Sequence, residues 1–205
     1  MVAGIETGPE VGLITHNGVL DQLYGLDNLT RIDDAIDQIW NPASGNATAQ
    51  AKYASFTQLF GYIPDSNGDN SFDETFLPLF TVAGSGIDLS GPSATLDSGE
   101  VDFLWALKPS GASLWTSLPS QNSDGLDHMV TWLITGNAGK DNVIGNYVIA
   151  WEDLPFGGDR DFNDLVVEVS THPAPVPEPA TMLLLGSGLI GLAGLRKKIF
   201  KKYRD

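Results

Sequence analysis

Prolines at every second position, Pro173-Ala-Pro175-Val-Pro177-Glu-Pro179, constrain this chain more than any other feature. Each ring removes a backbone N–H and fixes φ, so neither helix nor sheet runs through the stretch. Residues 171–179 therefore read as a semi-rigid, exposed linker between a body, residues 1–170, and a tail. The charge divides at the same place. Residues 1–170 carry 24 acidic and 5 basic side chains, a balance of −19, whereas residues 171–205 carry 2 and 6, a balance of +4, within a total of −15. A body so acidic repels phosphate polymers and anionic lipid heads, which excludes nucleic acid as its partner. It attracts cations.

Beyond the linker lies an apolar run over residues 180–195, ATMLLLGSGLIGLAGL, and then Arg196-Lys197-Lys198 with Lys201, Lys202 and Arg204. As a helix the run spans ~24 Å, short of the ~30 Å hydrocarbon core of a bilayer. Such a transmembrane helix, Thr181 to Leu195, holds a chain in the membrane but is marginal as a permanent anchor. The basic stop at residues 196–205 is expected to stay cytoplasmic by the positive-inside rule, so the body faces out. Gly186-Ser-Gly188-Leu-Ile-Gly191 matches a dinucleotide fingerprint only in letters, because it lies inside the apolar run with no strand before it.

The order of Pro177-Glu178-Pro179, apolar helix and basic cluster resembles the PEP-CTERM sorting signal of diderm bacteria. The resemblance implies a membrane-embedded cysteine peptidase, an exosortase, as partner, with Pro177, Glu178 and Pro179 as the sorting motif. It further implies transient inner-membrane anchoring, followed by release to the cell surface or extracellular matrix. A plain single-span anchor on a proline stalk is the blander alternative. Cysteine is absent, yet a body of about 170 residues buries a core without disulfides, so this does not argue for the cytoplasm. Export needs a leader, and Met1 to Glu6 has neither a basic start nor an apolar run. The expectation is that a leader precedes Met1 in the precursor.

The body carries most of the 23 glycines and few long helical patterns, which predicts a mainly β fold. One short helix near the N-terminus is expected from Leu29, Ile32, Ile36, Ile39 and Trp40 at spacings of three and four, ended by Asn41-Pro42. Period-two runs predict strands at Val11–Thr15, Ala47–Ile63, Leu79–Val82, Asp102–Leu107, Ser113–Ser117, Met129–Thr135, Asn146–Glu152 and Leu165–Ser170. Turn-rich pieces separate them, and together they point to a two-sheet antiparallel sandwich, with a single apolar helix added at the C-terminus. Phe103, Trp105, Trp115, Trp132 and Trp151 are expected to fill its core. No internal repeat is evident.

The chemistry concentrates in the segment from Asn146 to Glu168. Read as a hairpin, it returns Asp159, Asp161, Asn163 and Asp164 toward Glu152 and Asp153 at the end of the preceding strand, with Arg160 alone opposing them. Like charges crowded this way cost several kcal/mol, roughly, unless a cation lies between them. Calcium suits the site because it takes 6–8 oxygen ligands in flexible geometry, and no Cys or His favours a softer metal. Gly157-Gly158 permits the tight backbone. The alternative is that these Asp and Asn side chains merely satisfy turn N–H groups.

The stretch Trp151-Glu-Asp-Leu-Pro-Phe-Gly-Gly-Asp-Arg-Asp-Phe-Asn-Asp164 resembles the end of an uncharacterised bacterial secreted domain that often precedes PEP-CTERM tails. Asp127-His128-Met129-Val130-Thr131 and Phe60-Gly61-Tyr62-Ile63 fit the same pattern, extending the resemblance over about residues 50–170. It implies an extracellular β-rich module, sometimes part of adhesin-like proteins, and supplies no catalytic residues.

A second acidic loop spaces Asp65, Asn67, Asp69 and Asp73 like a calcium loop, but Asn70 stands where glycine is needed and Phe76 where the closing Glu belongs. A solvated turn is the stronger reading there. His128 beside Asp127 suggests a hydrolase only superficially, since no G-x-S-x-G elbow occurs, and it reads as a structural hydrogen-bonding residue. The expectation is thus a non-enzymatic, calcium-binding surface or matrix protein, concerned with adhesion and linked to exopolysaccharide or biofilm. The alternatives are a carbohydrate-binding module, with Trp115 or Trp132 stacking on sugar, and a polysaccharide hydrolase using Glu152 with Asp153 or Asp161.

Overall fold

Apolar residues at every second position of the strands send alternate side chains to different cores, and this fixes the layering. The computed structural model describes residues 13–41, 44–87, 91–137 and 143–174. They belong to a compact unit that ends at Ala174. Its elements are α1 (Val19–Leu23), β1 (Leu29–Arg31), β2 (Ser44–Lys52), β3 (Gln58–Pro64), β4 (Leu77–Val82), β5 (Gly86–Ile87), β6 (Ser93–Asp97), β7 (Phe103–Pro109), β8 (Trp115–Thr116), β9 (Met129–Ile134), β10 (Tyr147–Trp151) and β11 (Leu165–Val169). All pairings are antiparallel. One sheet runs β1-β9-β10-β11-β2, with β5 and β6 both on the far edge of β2; the other runs β4-β3-β7-β8. The chain is mainly β, in two antiparallel sheets.

Between the sheets lie Trp40, Phe60, Phe103, Trp105, Trp115, Ile149, Trp151, Leu165 and Val167. The rings interlock: Phe60 stacks on Trp105 at 5.1 Å, and Phe103 meets Trp105 edge-on at 5.0 Å. Trp132 points the other way, into a second core where α1 and Leu13 cover the outer face of the large sheet. There the Arg31 guanidinium lies 5.1 Å above its ring. Leu104 and Ala106, alternating with Phe103 and Trp105, pack outward under Phe72.

Two expectations need correction. The segment carrying Leu29, Ile32, Ile36 and Ile39 is not helical. Leu29 to Arg31 pair with Ile134 to Trp132 as an edge strand, and Asp33 then closes a turn by accepting the Ala35 N–H. Ladder pairing on β9 outweighs the helical spacing, and Ile36 is left 42% exposed. The short helix lies earlier, at Val19–Leu23, between Gly18 and Gly25. The expected strand Val11–Thr15 is a turn over its described part.

The sorting motif, the apolar run Thr181–Leu195 and the basic stop lie outside the described residues. Among the described residues no helix is long and apolar enough to cross a membrane.

Candidate functional site

The hairpin β10–β11 is closed by Asp164, whose N–H donates to the Trp151 carbonyl (3.1 Å), while Glu152 N–H donates to the His128 carbonyl (3.0 Å). Glu152 is therefore the first residue beyond the strand, turned under the connecting loop. One Glu152 oxygen accepts the Leu154 N–H (3.2 Å) and the other the Arg160 N–H (3.0 Å). Phe162 anchors the loop in the second core. Gly158 adopts φ +44, ψ −130, and a Cβ on it would run into the Glu152 carboxylate.

The loop assembles two acidic triads that share Glu152. Glu152, Asp153 and Asp164 each place a carboxylate oxygen within 4.8 Å of the others, and so do Glu152, Asp159 and Asp161. Asn163 orients Asp161: its side-chain Nδ2–H donates to the Asp161 carboxylate, and its backbone carbonyl accepts the Tyr53 N–H. Arg160 does not neutralise the acids; among the described residues it closes no ion pair. Its side chain lies instead over Gly157.

Asp153 ties the site to the opposite sheet. Gln58 of β3 donates its side-chain amide to the Asp153 carboxylate, Trp115 of β8 donates Nε1–H to the Asp153 carbonyl (2.8 Å), and the Asp153 N–H donates to Asp164 (2.8 Å). Trp115 also stacks flat on His128 at 3.9 Å. His128 is buried, its Nδ1 bonded to the Glu152 carbonyl (2.9 Å) and its Nε2 facing the Asp124 carboxylate (3.1 Å). Asp124 in turn accepts N–H groups from Leu126 and Phe156. Burial alone would raise Asp124, but these donors and the His128 ring outweigh it and hold its carboxyl below the usual range. His128 is thus a positioning residue in a buried network. Sequence reasoning missed Gln58, whose Oε1 is left without a partner although the residue is fully buried.

Burial, with the negative Asp164 next, pushes the Glu152 carboxyl up to about 8. The same causes push Asp153 up to about 6, partly offset by the Gln58 amide and by Lys52. Burial first, then neighbouring acids, raises Asp161 as well. A carboxyl whose folded value exceeds its unfolded value holds more protons folded than unfolded, so stability falls as pH rises between the two. For Glu152 that window runs from 4.5 to about 8. Thermal melts of the chain in EGTA should accordingly drop between about pH 5 and pH 8, and Glu152→Gln should flatten the slope. An unchanged slope in that variant would contradict the assignment.

The second acidic loop repeats the first in backbone form, a repeat not evident in the sequence. Gly68, Asn70 and Phe72 have φ of +72, +60 and +49; Gly158, Arg160 and Phe162 have +44, +60 and +49. Both loops close antiparallel hairpins, β3–β4 and β10–β11, and in both a carboxylate just after the strand accepts the N–H of the middle residue: Asp65 from Asn70 (3.1 Å), Glu152 from Arg160 (3.0 Å). Both phenylalanines are buried. In the β3–β4 loop the acids serve the turn: Asp65 also accepts the Asp69 N–H, Asp69 bonds to Asn67 and Ser71, and Asp73 is exposed.

Two family models match the chain. One, described as a domain of unknown function (DUF4114), covers residues 96–172; the other, the PEP-CTERM protein-sorting motif, covers residues 175–198. The body match begins at Leu96, so Phe60–Ile63 lies outside it. The chain thus carries a match to a DUF4114 domain followed by a match to the PEP-CTERM sorting motif. No curated protein sequence matches the chain. Among solved structures, similar folds include a high-affinity mannose-binding lectin of Ralstonia solanacearum, with 16% identity over 67% of this chain and 97% of that one, TM-score 0.37. Another is lectin CV2L of Chromobacterium violaceum in complex with alpha-methyl-fucoside, with 17% identity over 68% and 98%, TM-score 0.38. Both are distant in sequence and in superposition.

Proposed function

We propose that the body is a non-catalytic structural or adhesive module of the bacterial surface or extracellular matrix, acting beside exopolysaccharide, and that calcium rigidifies its β10–β11 hairpin. The observation that carries the calcium reading is the pair of triads sharing buried Glu152, with no ion pair from Arg160 among the described residues. A hard dication with 6–8 oxygen positions suits such a donor set. Because Asp153 is bonded to Gln58 and Trp115, a cation here stiffens the joint between the two sheets. Both Glu152 oxygens take backbone N–H groups beneath the loop, which weighs against its use as a hydrolytic acid or base.

A second reading, glycan contact without turnover, is favoured by one residue. Trp115 and Trp132 are both buried and unavailable for stacking, which corrects the expectation for them, but Phe156 at the hairpin tip is 75% exposed. Phe156→Ala should weaken retention on the producer's exopolysaccharide without shifting the melt.

Sorting is tested in the producing cell. With Pro177 and Glu178 replaced by alanine, the chain is expected to accumulate as an uncut, membrane-held species; the parent should yield a shorter product at the surface or in the medium. Equal processing of both, read by mass spectrometry, would contradict the sorting role.

A further inference from the structure

One polar side chain crosses from the small sheet to the hairpin acids. Gln58 opens β3, paired between Val82 of β4 and Pro109 of β7. Strand alternation sends it to the side that Phe60 takes, into the space between the sheets. There it is fully buried. Its Nε2–H donates to the Asp153 carboxylate, whereas Oε1 has no hydrogen-bond partner among the described residues. A buried amide oxygen without a donor loses its bonds to water and gains nothing in exchange. Methionine or leucine would fill the place without that cost, so packing does not account for a glutamine. The bond to Asp153 accounts for the nitrogen. The oxygen is the half left to explain.

Asp153 belongs to the triad with Glu152 and Asp164, whose carboxylate oxygens lie within 4.8 Å of one another, and not to the other triad. The amide of Gln58 therefore stands at the edge of the Asp153 triad. It is two-ended: half a turn about its last bond exchanges a donor for an acceptor in nearly the same volume. We propose that Gln58 is the neutral, cross-sheet ligand of a calcium-class cation held by Glu152, Asp153 and Asp164, its amide turning over on binding so that Oε1 replaces Nε2 beside Asp153. The inference rests on the reading of the hairpin as a calcium site, and it says which triad holds the ion. Without the ion, the N–H end offsets the charge of Asp153. With it, the carbonyl end faces the metal and the N–H end points away, as their partial charges favour. Neutral amide oxygens serve calcium beside carboxylates in other sites of this chemistry. The ion so held takes ligands from both sheets.

Calorimetric titration of calcium into the full chain in mild detergent compares wild type, Glu152→Gln and Gln58→Met, the last close in volume but without donor or oxygen. Outer-shell partners of a metal are worth about 10–100-fold in affinity, so losing a direct ligand should weaken binding in Gln58→Met by at least about tenfold. A glutamine that only donates to Asp153 stabilises the ion-free state, and its removal would leave the affinity unchanged or raise it. Either of those results, with calcium still bound by wild type and lost in Glu152→Gln, overturns this inference alone. A wild type that takes up no calcium overturns the hairpin site as well. A second readout needs no variant and so survives a misfolded one. The side-chain carbonyl carbon resonance of Gln58, assigned from its own backbone, should move downfield as calcium saturates the wild type. A resonance that stays in place or moves upfield, as loss of the N–H bond alone would make it, also overturns the proposal.

Discussion

Gly158→Ala is expected to destabilise the chain by about 3 kcal/mol or more and to remove the response of its β10–β11 hairpin to calcium. Two costs add. The backbone at φ +44, ψ −130 is one that L-residues rarely adopt, worth about 1–3 kcal/mol. The new Cβ would also enter the space of the Glu152 carboxylate and press on Leu154 Cβ at 3.0 Å. If Glu152 swings away, the N–H groups of Leu154 and Arg160 exchange its carboxylate for water, a loss of about 0.5–1.5 kcal/mol for each hydrogen bond. Gly68→Ala is the internal control. Its φ of +72 carries the strain alone, with nothing within 4 Å of the added Cβ, so about 1–2 kcal/mol is expected. Urea melts of the two variants should differ accordingly; equal losses would mean that the Glu152 contact does not hold the loop.

Trp115→Ala should cost about 3–5 kcal/mol, the usual range for emptying a large buried aromatic site. Trp115 is fully buried between the sheets, stacked on His128 and bonded through Nε1 to the Asp153 carbonyl. Trp115→Phe separates the contributions, keeping most of the packing and losing the hydrogen bond, for about 1–2 kcal/mol. The phenylalanine variant should also bind calcium more weakly, because Asp153 loses one of its ties to the small sheet. Full calcium affinity there would show that the cross-sheet tie is irrelevant to the site.

Much of this architecture was legible because strands buried on both faces leave period-two signals. Phe103 to Leu107, Met129 to Ile134 and Leu165 to Val169 each split their side chains between two cores, and each was expected within a residue or two. Weaker strands escaped. β5 is two residues long, and β6, Ser-Ala-Thr-Leu-Asp, is an edge strand with one buried side chain, Leu96; neither carries an apolar period. The segment after Asn28 misled because its isoleucines keep helical spacing while its backbone pairs with β9. The acids of the hairpin were visible because local sequence brings them together. Gln58 and Trp115 were not, since 95 and 38 residues separate them from Asp153 and only the facing of two sheets unites them. The paired loops were hidden for another reason: what they share is a series of positive φ values borne by different residues, Asn70 in one and Arg160 in the other.

The central claim is that crowded, un-neutralised carboxylates at the β10–β11 hairpin bind a hard dication. Calorimetric titration of calcium into the full chain near neutral pH, wild type against Glu152→Gln, tests it most directly. The wild type should bind saturably, with Glu152→Gln losing one equivalent and melting alike with and without the ion at that site. Superimposable isotherms for the two proteins would contradict the account.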